Sequence, residues 1–497
     1  MKQDQTPKDQ YYVAPIAREF EGASLGDRRL EARLLKVVEA IAPAPHRSLP
    51  QAAASAKDLQ GAYRFLANTA VRPEALLQPH IEQTVQRCEK ARVVIVAHDS
   101  SEIEYDGLVR RKGLGFLRSE STQGFFAHTS LAMAADGTRL PLGVLGLHCW
   151  TRETLGKSKK DGRKLTQREY AQREAKESDR WGAQVKGTAQ QVGGRAELIH
   201  VMDREADAFP LLAELTATHH RFVIRATYAR AARADEHSPK ETMPTIVAQA
   251  QGVLQTEVPV SARPASGKPA RDQTFQPRES RQATVEFSAC TLHLKRPPHA
   301  LGPEWLPINV VHVREVDAPQ GLEPIEWFLY TSEPVDTPEQ VVQVVEHYRS
   351  RWVIEEFYKA LKTGCSLEDR QLESYDALVN ALCIFIPMAW QMLLLRTLAR
   401  TKPDAAATTV LSSTQIEVLG ACGKQRLPPL PTVKQALLAI ATMGGYIRTK
   451  RGPGWLVLGR GMEKLLLLEA GWTARQAQEG LACAVPSRQP DPRSAQS

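Results

Sequence analysis

Asp99, Asp203 and Glu355 are the residues whose types and surroundings suit a divalent-cation site. Asp99 follows the apolar, β-branched run Val93-Val94-Ile95-Val96-Ala97 at a distance of one residue, and Asp203 directly follows Leu198-Ile199-His200-Val201-Met202. Short runs of this kind read as strands buried on both faces. A carboxylate at the end of such a strand points into the crevice where open α/β sheets bind ligands. Side by side, two of them bring like charges together, and these need a divalent cation to stay ionised. A plainer reading also stands, because a strand-end Asp often only caps the next turn. The third acid lies in Tyr348-Arg349-Ser350-Arg351-Trp352-Val353-Ile354-Glu355-Glu356-Phe357-Tyr358-Lys359-Ala360-Leu361-Lys362, a natural helix. At about 100° per residue, Tyr348, Arg351, Glu355 and Lys362 share a stripe about 60° wide. Glu356 falls off that stripe, so Glu355 is the better ligand. A solvated face with i,i+4 pairs such as Arg351 and Glu355 accounts for the same charges, although Tyr348 and the neighbouring Trp352 fit it poorly.

The elements that must position these residues follow from the apolar rhythm. Residues 24–42 place Leu30, Leu34, Val37, Val38 and Ile41 at helical spacing behind a candidate N-cap, Ser24. With the Ala-rich stretch through Tyr63 and Phe65, they predict a small helical module over residues 1–72. That module carries Arg28, Arg29, Arg33, Lys57 and Arg64. Strand-like runs at 93–97, from His128, from Pro141, at 197–202 and at 221–225 alternate in part with helical stretches, one of them ending at Val192. This predicts an α/β core with a mixed sheet over residues 73–372. Between about 226 and 322, strand-like pieces surround a Pro/Arg/Lys-rich stretch from Ser261, which reads as a β insertion with a basic hairpin tip. From Thr337 the pattern turns helical, giving a C-terminal helical domain over 373–483 and a disordered tail over 484–497.

Composition narrows the class. The 497 residues are too many for one ordinary core. With 42% hydrophobic and 24% charged residues, the chain has a globular mixture rather than a disordered one. A net charge of +8 suits a polyanionic partner without proving one. The tract from Lys157 to Lys176 holds eight Lys/Arg against three Asp/Glu and reads either as a DNA-tracking loop or as a solvated face. Seven scattered cysteines show neither metal-ligand spacing nor a disulfide framework, which fits a reducing, cytoplasmic setting. The first ten residues lack the apolar stretch of a signal peptide. Leu378 to Leu395 is the longest apolar run, and Asn380, Pro387 and Gln391 within it favour a buried core helix over a membrane span.

The spacing Y-(2)-R-(3)-E-(6)-K formed by Tyr348, Arg351, Glu355 and Lys362 resembles the signature of bacterial transposases of the insertion-sequence-four family. The Tn-five-like cut-and-paste kind looks closest. LGDRRLEARL and GAYRFLAN resemble that family's end-binding segment, HDSSEIEY and DREADAF its two catalytic aspartate segments, and WFLYTSEPV and the helix around Glu355 complete the match. The resemblance implies a ribonuclease H-like catalytic core in which Asp99, Asp203 and Glu355 hold two Mg²⁺ or Mn²⁺ ions. It further implies phosphate contacts by Tyr348, Arg351 and Lys362, contacts to the transposon end by Arg225 and Arg230, and base stacking by Trp327. Residues 1–72, with Arg28, Arg29 and Arg64, would read the terminal inverted repeats of double-stranded DNA. The working form would be a homodimer bridged by DNA, and the C-terminal helices a dimerisation region. Trp181 and the segment after Ala42 depart from the family pattern, so the terminal repeat it reads is expected to differ. Two other readings remain: a transposase-derived regulator that binds without cutting, and a ribonuclease H-like nuclease. The first has no need of three carboxylates beside phosphate, and the second leaves the N-terminal module, the insertion and Trp327 unexplained.

Overall fold

The protein is described by a computed structural model covering residues 16–484, except 106–109, 120–121, 153–158, 161–162, 165–178, 261, 263–276, 299, 424–425 and 449–451. The tail from residue 485, most of the 157–176 tract and most of the basic stretch after Ser261 lie outside the described residues. The chain forms two compact units, one joining residues 1–77 to 359–497 and the other spanning 78–358.

Among the described residues, the second unit is built on a mixed sheet of twelve strands. Within it, β1 (Val93–Tyr105) is flanked by β2 (Gln123–Ala134) on one side; β3 (Pro141–Trp150) pairs with β2. On the other side, β4 (Glu197–Met202) and β5 (Arg221–Arg225) run parallel to β1. The continuous apolar stretches have the predicted cause, since Val94 through Ala97 and every residue of β2 are buried. Successive side chains of a strand point to opposite faces. Met202, Phe222 and Ile224 project to the face covered by α1 (Asp179–Val192) and α2 (Phe209–Ala217), where they pack with Trp181, Val185, Phe209 and Leu212. Helix α3 (Pro338–Ser350) lies against β1, β4 and β5 and buries Val341, Val344, Val345 and Tyr348 at helical spacing. Thr337 and Gln340 form its capping box.

The β insertion is an extension of the same sheet. After β5 come the short strands Ala231–Arg233 and Glu241–Thr242, then β6 (Gly252–Val260), β7 (Arg281–Lys295) and β8 (Trp305–Val316). Strand β9 (Glu326–Thr331) returns to pair with both β8 and β5.

The first unit is helical. Its Arg28–Ile41 helix is capped by Asp27, whose side chain accepts from the Arg29 N–H, so the cap lies three residues after the expected Ser24. The Tyr375–Thr401 helix is long and apolar enough to cross a membrane, yet 94% of its most apolar window is buried inside the protein. Within it, Asn380 donates to the carbonyls of Leu66 (2.9 Å) and Val71 (3.3 Å), which ties the N-terminal helices to the C-terminal ones. Arg370 donates to the carbonyls of Pro45 and Arg47, and buried Glu463 forms ion pairs with Arg47 (2.5 Å) and His46 (3.1 Å). The Val433–Met443 and Trp455–Ala484 helices meet backbone to backbone at Gly461, where a Cβ would lie 2.0 Å from the Ile440 carbonyl oxygen.

Candidate active site

Strand register brings the two aspartates together. The parallel ladder pairs Ala97 with Val201. Two residues further on, with strand parity kept, Asp99 and Asp203 stand opposite each other on one face. β1 does not end there, as the sequence had suggested. It continues to Tyr105 paired only with β2, and Asp99 sits where its other neighbour, β4, has stopped. The β4–β5 ladder pairs Met202 with Ile224, so Arg225 continues the same row beyond Asp203. Asp203 also fulfils the plainer reading: its Oδ1 accepts from the Glu205 N–H at 2.9 Å and caps a short turn.

Glu355 arrives from the helix side. The helix anticipated across 348–362 divides at Arg351, a one-residue break between α3 and α4 (Trp352–Lys359). There Arg351 N–H bonds to the Tyr348 carbonyl and Ile354 N–H to the Arg351 carbonyl, both with i,i+3 spacing. A π-helical turn over Ala360–Gly364 then interrupts the regular phase before Lys362. The stripe therefore survives for Tyr348, Arg351 and Glu355. Lys362 belongs to the other compact unit and pairs with Glu368 at 3.1 Å.

Arg351 joins the acids. One guanidinium nitrogen donates to Asp99 Oδ2 at 3.0 Å and another to Glu355 Oε1 at 2.7 Å, the i,i+4 pair expected of this helix. Burial pushes the Asp99 carboxyl up to about 7; Arg351 opposes the rise, and Asp203 and Glu355 add to it. For Arg351, burial works against the charge, but Asp99, Tyr348, Glu355 and Asp203 outweigh it and hold the guanidinium above its ordinary value. Tyr358, which sequence reasoning passed over, donates from its hydroxyl to the carbonyls of Asp99 and Ala127, each at 3.0 Å. It pins α4 to β1 and β2.

An aromatic and basic rim borders the row. Trp327 meets Tyr348 edge-on with ring centroids 5.5 Å apart, and the Arg225 guanidinium lies 5.5 Å from the Trp327 ring centre. Burial pushes the Tyr348 hydroxyl up, opposed by Arg225 and Arg351. Arg230 is placed differently from Arg225. It grips the fully buried Asp207 through three hydrogen bonds of 2.7 to 3.1 Å to its carboxylate and carbonyl. The same carboxylate accepts the N–H groups of Thr227 (2.6 Å) and Tyr228 (3.1 Å). Arg230 thus shapes the loop after β5, and Tyr228 stands exposed on it.

Beneath Asp99, on the opposite face of the sheet, runs a buried polar chain absent from the sequence reading. His98 Nε2 and His200 Nδ1 are 2.9 Å apart, and Ser130 Oγ meets His98 Nδ1 at 3.0 Å. Ser100 Oγ meets His128 Nδ1 at 2.9 Å and accepts from Arg180 at 3.2 Å. Burial holds all three rings neutral, with His128 lowered to about 3. The signal was present as HDS, HTS and IHVM, which place His98, Ser100, His128, Ser130 and His200 within or beside otherwise apolar runs.

Residues 15–71 match the family model Transposase DNA-binding, and residues 167–388 match Transposase DDE domain. The chain carries the two domains of a DDE transposase. In this transposase the DDE match spans Asp203 and Glu355 and begins after Asp99. The DNA-binding match covers Arg28, Arg29 and Arg64. Arg28 and Arg64 are exposed, and Arg29, also exposed, pairs with Asp27 at 3.0 Å.

The DDE domain implies divalent metal ions, and the donor chemistry fits. Asp99, Asp203 and Glu355 offer only hard carboxylate oxygens. Arg351 answers part of their mutual repulsion, while burial, with Asp203 and Glu355 adding to it, raises the Asp99 carboxyl. Among the described residues no three acids already form a metal-holding group. Arg351 takes up an oxygen of Asp99 and one of Glu355.

Proposed function

We propose that this transposase binds the terminal inverted repeats of its own insertion sequence, excises the element through a hairpin intermediate and joins its 3′ ends to target DNA. Asp99, Asp203 and Glu355 are the catalytic carboxylates of this reading. The observation that carries it is the register of β1 and β4, which sets two aspartates side by side, together with the Arg351 bridge from Asp99 to Glu355.

Two Mg²⁺ or Mn²⁺ ions held by these carboxylates would activate the attacking water or 3′-hydroxyl and stabilise the leaving oxygen. The chain's own residues do the remainder. Arg351, Tyr348 and Lys362 hold phosphates of the cleaved strand by charge-assisted or hydroxyl hydrogen bonds. Arg225, continuing the Asp99–Asp203 row, offers a cation to the transposon end. Trp327 supplies a stacking surface for a base extruded as the hairpin forms; stacking returns about 1–3 kcal/mol per base against the cost of flipping. Arg230 acts one step back, since its guanidinium is committed to Asp207. Residues 15–71 read the repeat, and the exposed Arg28, Arg29 and Arg64 supply phosphate contacts. Two copies bridged by two ends would form the working complex in the cytoplasm, where the DNA substrate lies.

The test is incubation of the purified chain with duplex DNA carrying the inverted repeat that flanks its gene, with Mg²⁺. Nicked and hairpinned ends that disappear in Asp99→Ala support the reading. Binding without cleavage moves the assignment to a DNA-binding regulator.

A further inference from the structure

Arg351 occupies the carboxylates that the proposed chemistry requires for cations. Its two terminal nitrogens are spent on Asp99 and Glu355, at 3.0 and 2.7 Å, and the residue is 8% exposed. Its Nε is buried with no hydrogen-bond partner, so this posture leaves one donor unsatisfied. A guanidinium and a divalent cation seek the same oxygens and repel each other. Phosphate, with planar forks of oxygen acceptors, is a strong alternative partner for the guanidinium.

Resting on the function proposed above, we propose that Arg351 is an electrostatic latch: it holds the metal-free site shut by bridging Asp99 and Glu355, and a DNA phosphate opens the site by drawing the guanidinium away. Cation loading and DNA binding are then coupled through one side chain, and the coupling is reciprocal by thermodynamic linkage. Without DNA the carboxylates stay paired with Arg351, which keeps a loaded hydrolytic centre from forming before substrate arrives. Because one arginine neutralises one of the three acids, its departure leaves the acids with more charge to offer a cation.

The experiment measures Mn²⁺ binding by the electron paramagnetic resonance of free Mn²⁺, with no activity readout. The full chain, Arg351→Gln and Arg351→Lys are titrated with and without a duplex carrying the terminal repeat, and the signal of duplex alone is subtracted. Circular dichroism verifies folding, and Asp99→Asn marks which binding belongs to the site. Expected for the DNA-free forms is at least tenfold tighter site binding in Arg351→Gln than in the unaltered chain. Arg351→Lys, which keeps the charge but loses the fork, should fall between them. DNA should tighten binding to the unaltered chain and add little to Arg351→Gln. Equal DNA-free affinity in the unaltered chain and both variants, with binding abolished by Asp99→Asn, overturns the latch and leaves the metal site standing. If no form binds Mn²⁺ in an Asp99-dependent way even with DNA, the carboxylate reading fails and the latch with it.

Discussion

The buried histidine chain makes the catalytic unit sensitive to acid. His98, His128 and His200 are neutral when folded because burial penalises the imidazolium, whereas an unfolded histidine takes up its proton near 6.5. Below about pH 6.5 the unfolded state therefore binds three more protons at these positions. Each proton of difference removes about 1.4 kcal/mol of stability per pH unit, so the three remove about 4. Asp99 works the other way in the metal-free protein. Its carboxyl is raised from 3.8 to about 7, so the folded state binds the extra proton as pH falls through 7, and this gain continues to about 3.8. With three protons against one, these four groups together cost about 2.7 kcal/mol per pH unit as pH falls below about 6.5. Replacing His128 by Gln keeps polarity and removes one proton from the balance, which should flatten the fall by about 1.4 kcal/mol per pH unit. Urea unfolding of the unaltered chain and His128→Gln, followed at half-unit pH steps, measures the difference. Nuclear magnetic resonance of ring-labelled histidines checks its cause. Any of the three rings titrating near 6.5 while the protein remains folded would refute the reasoning.

Other consequences are as specific. Asp207→Ala should destabilise the residue 78–358 unit by about 3–5 kcal/mol, since it leaves Arg230 buried without its partner and strips two N–H groups of their acceptor. Denaturant unfolding checks this, and an effect below 1 kcal/mol would contradict the assignment of Arg230 as a loop-holding residue. Gly461→Ala drives a Cβ to 2.0 Å from the Ile440 carbonyl oxygen and should cost about 1–3 kcal/mol by overpacking; thermal unfolding of the full chain reads it. Replacing Arg28 and Arg64 by Gln together should lower the slope of log affinity against log salt for repeat DNA by about 2, read by fluorescence anisotropy. An unchanged slope would remove both from the phosphate contacts.

Much of this architecture is visible in the chain because fully buried strands leave apolar runs. Those at Val93, Pro141, Glu197 and Arg221 all became strands, and the aspartates beyond two of them met because parallel register carries over from Ala97 and Val201. The far half of β1 was hidden because Ser100 to Tyr105 is mostly polar, as suits a strand with a neighbour on one side only. The division at Arg351 and the π turn after it were hidden for another reason: a uniform 100° count has no term for a local change of pitch. The pairing of Arg230 with Asp207 was hidden because nothing in the sequence around either residue announces that Asp207 is buried. The union of residues 1–77 with 359–497 rests on contacts such as Asn380 to Leu66, which join segments with no shared periodicity.

In the proposed reaction, the three acids Asp99, Asp203 and Glu355 act as a single unit on a phosphodiester. Single-turnover cleavage of a radiolabelled terminal-repeat duplex by Asp99→Asn, Asp203→Asn, Glu355→Gln and the triple variant tests it most directly. Each single change should abolish nearly all cleavage while repeat binding persists, and the triple variant should be scarcely slower than any single one, as for residues acting together. Near-normal cleavage by any one of the single variants would contradict it.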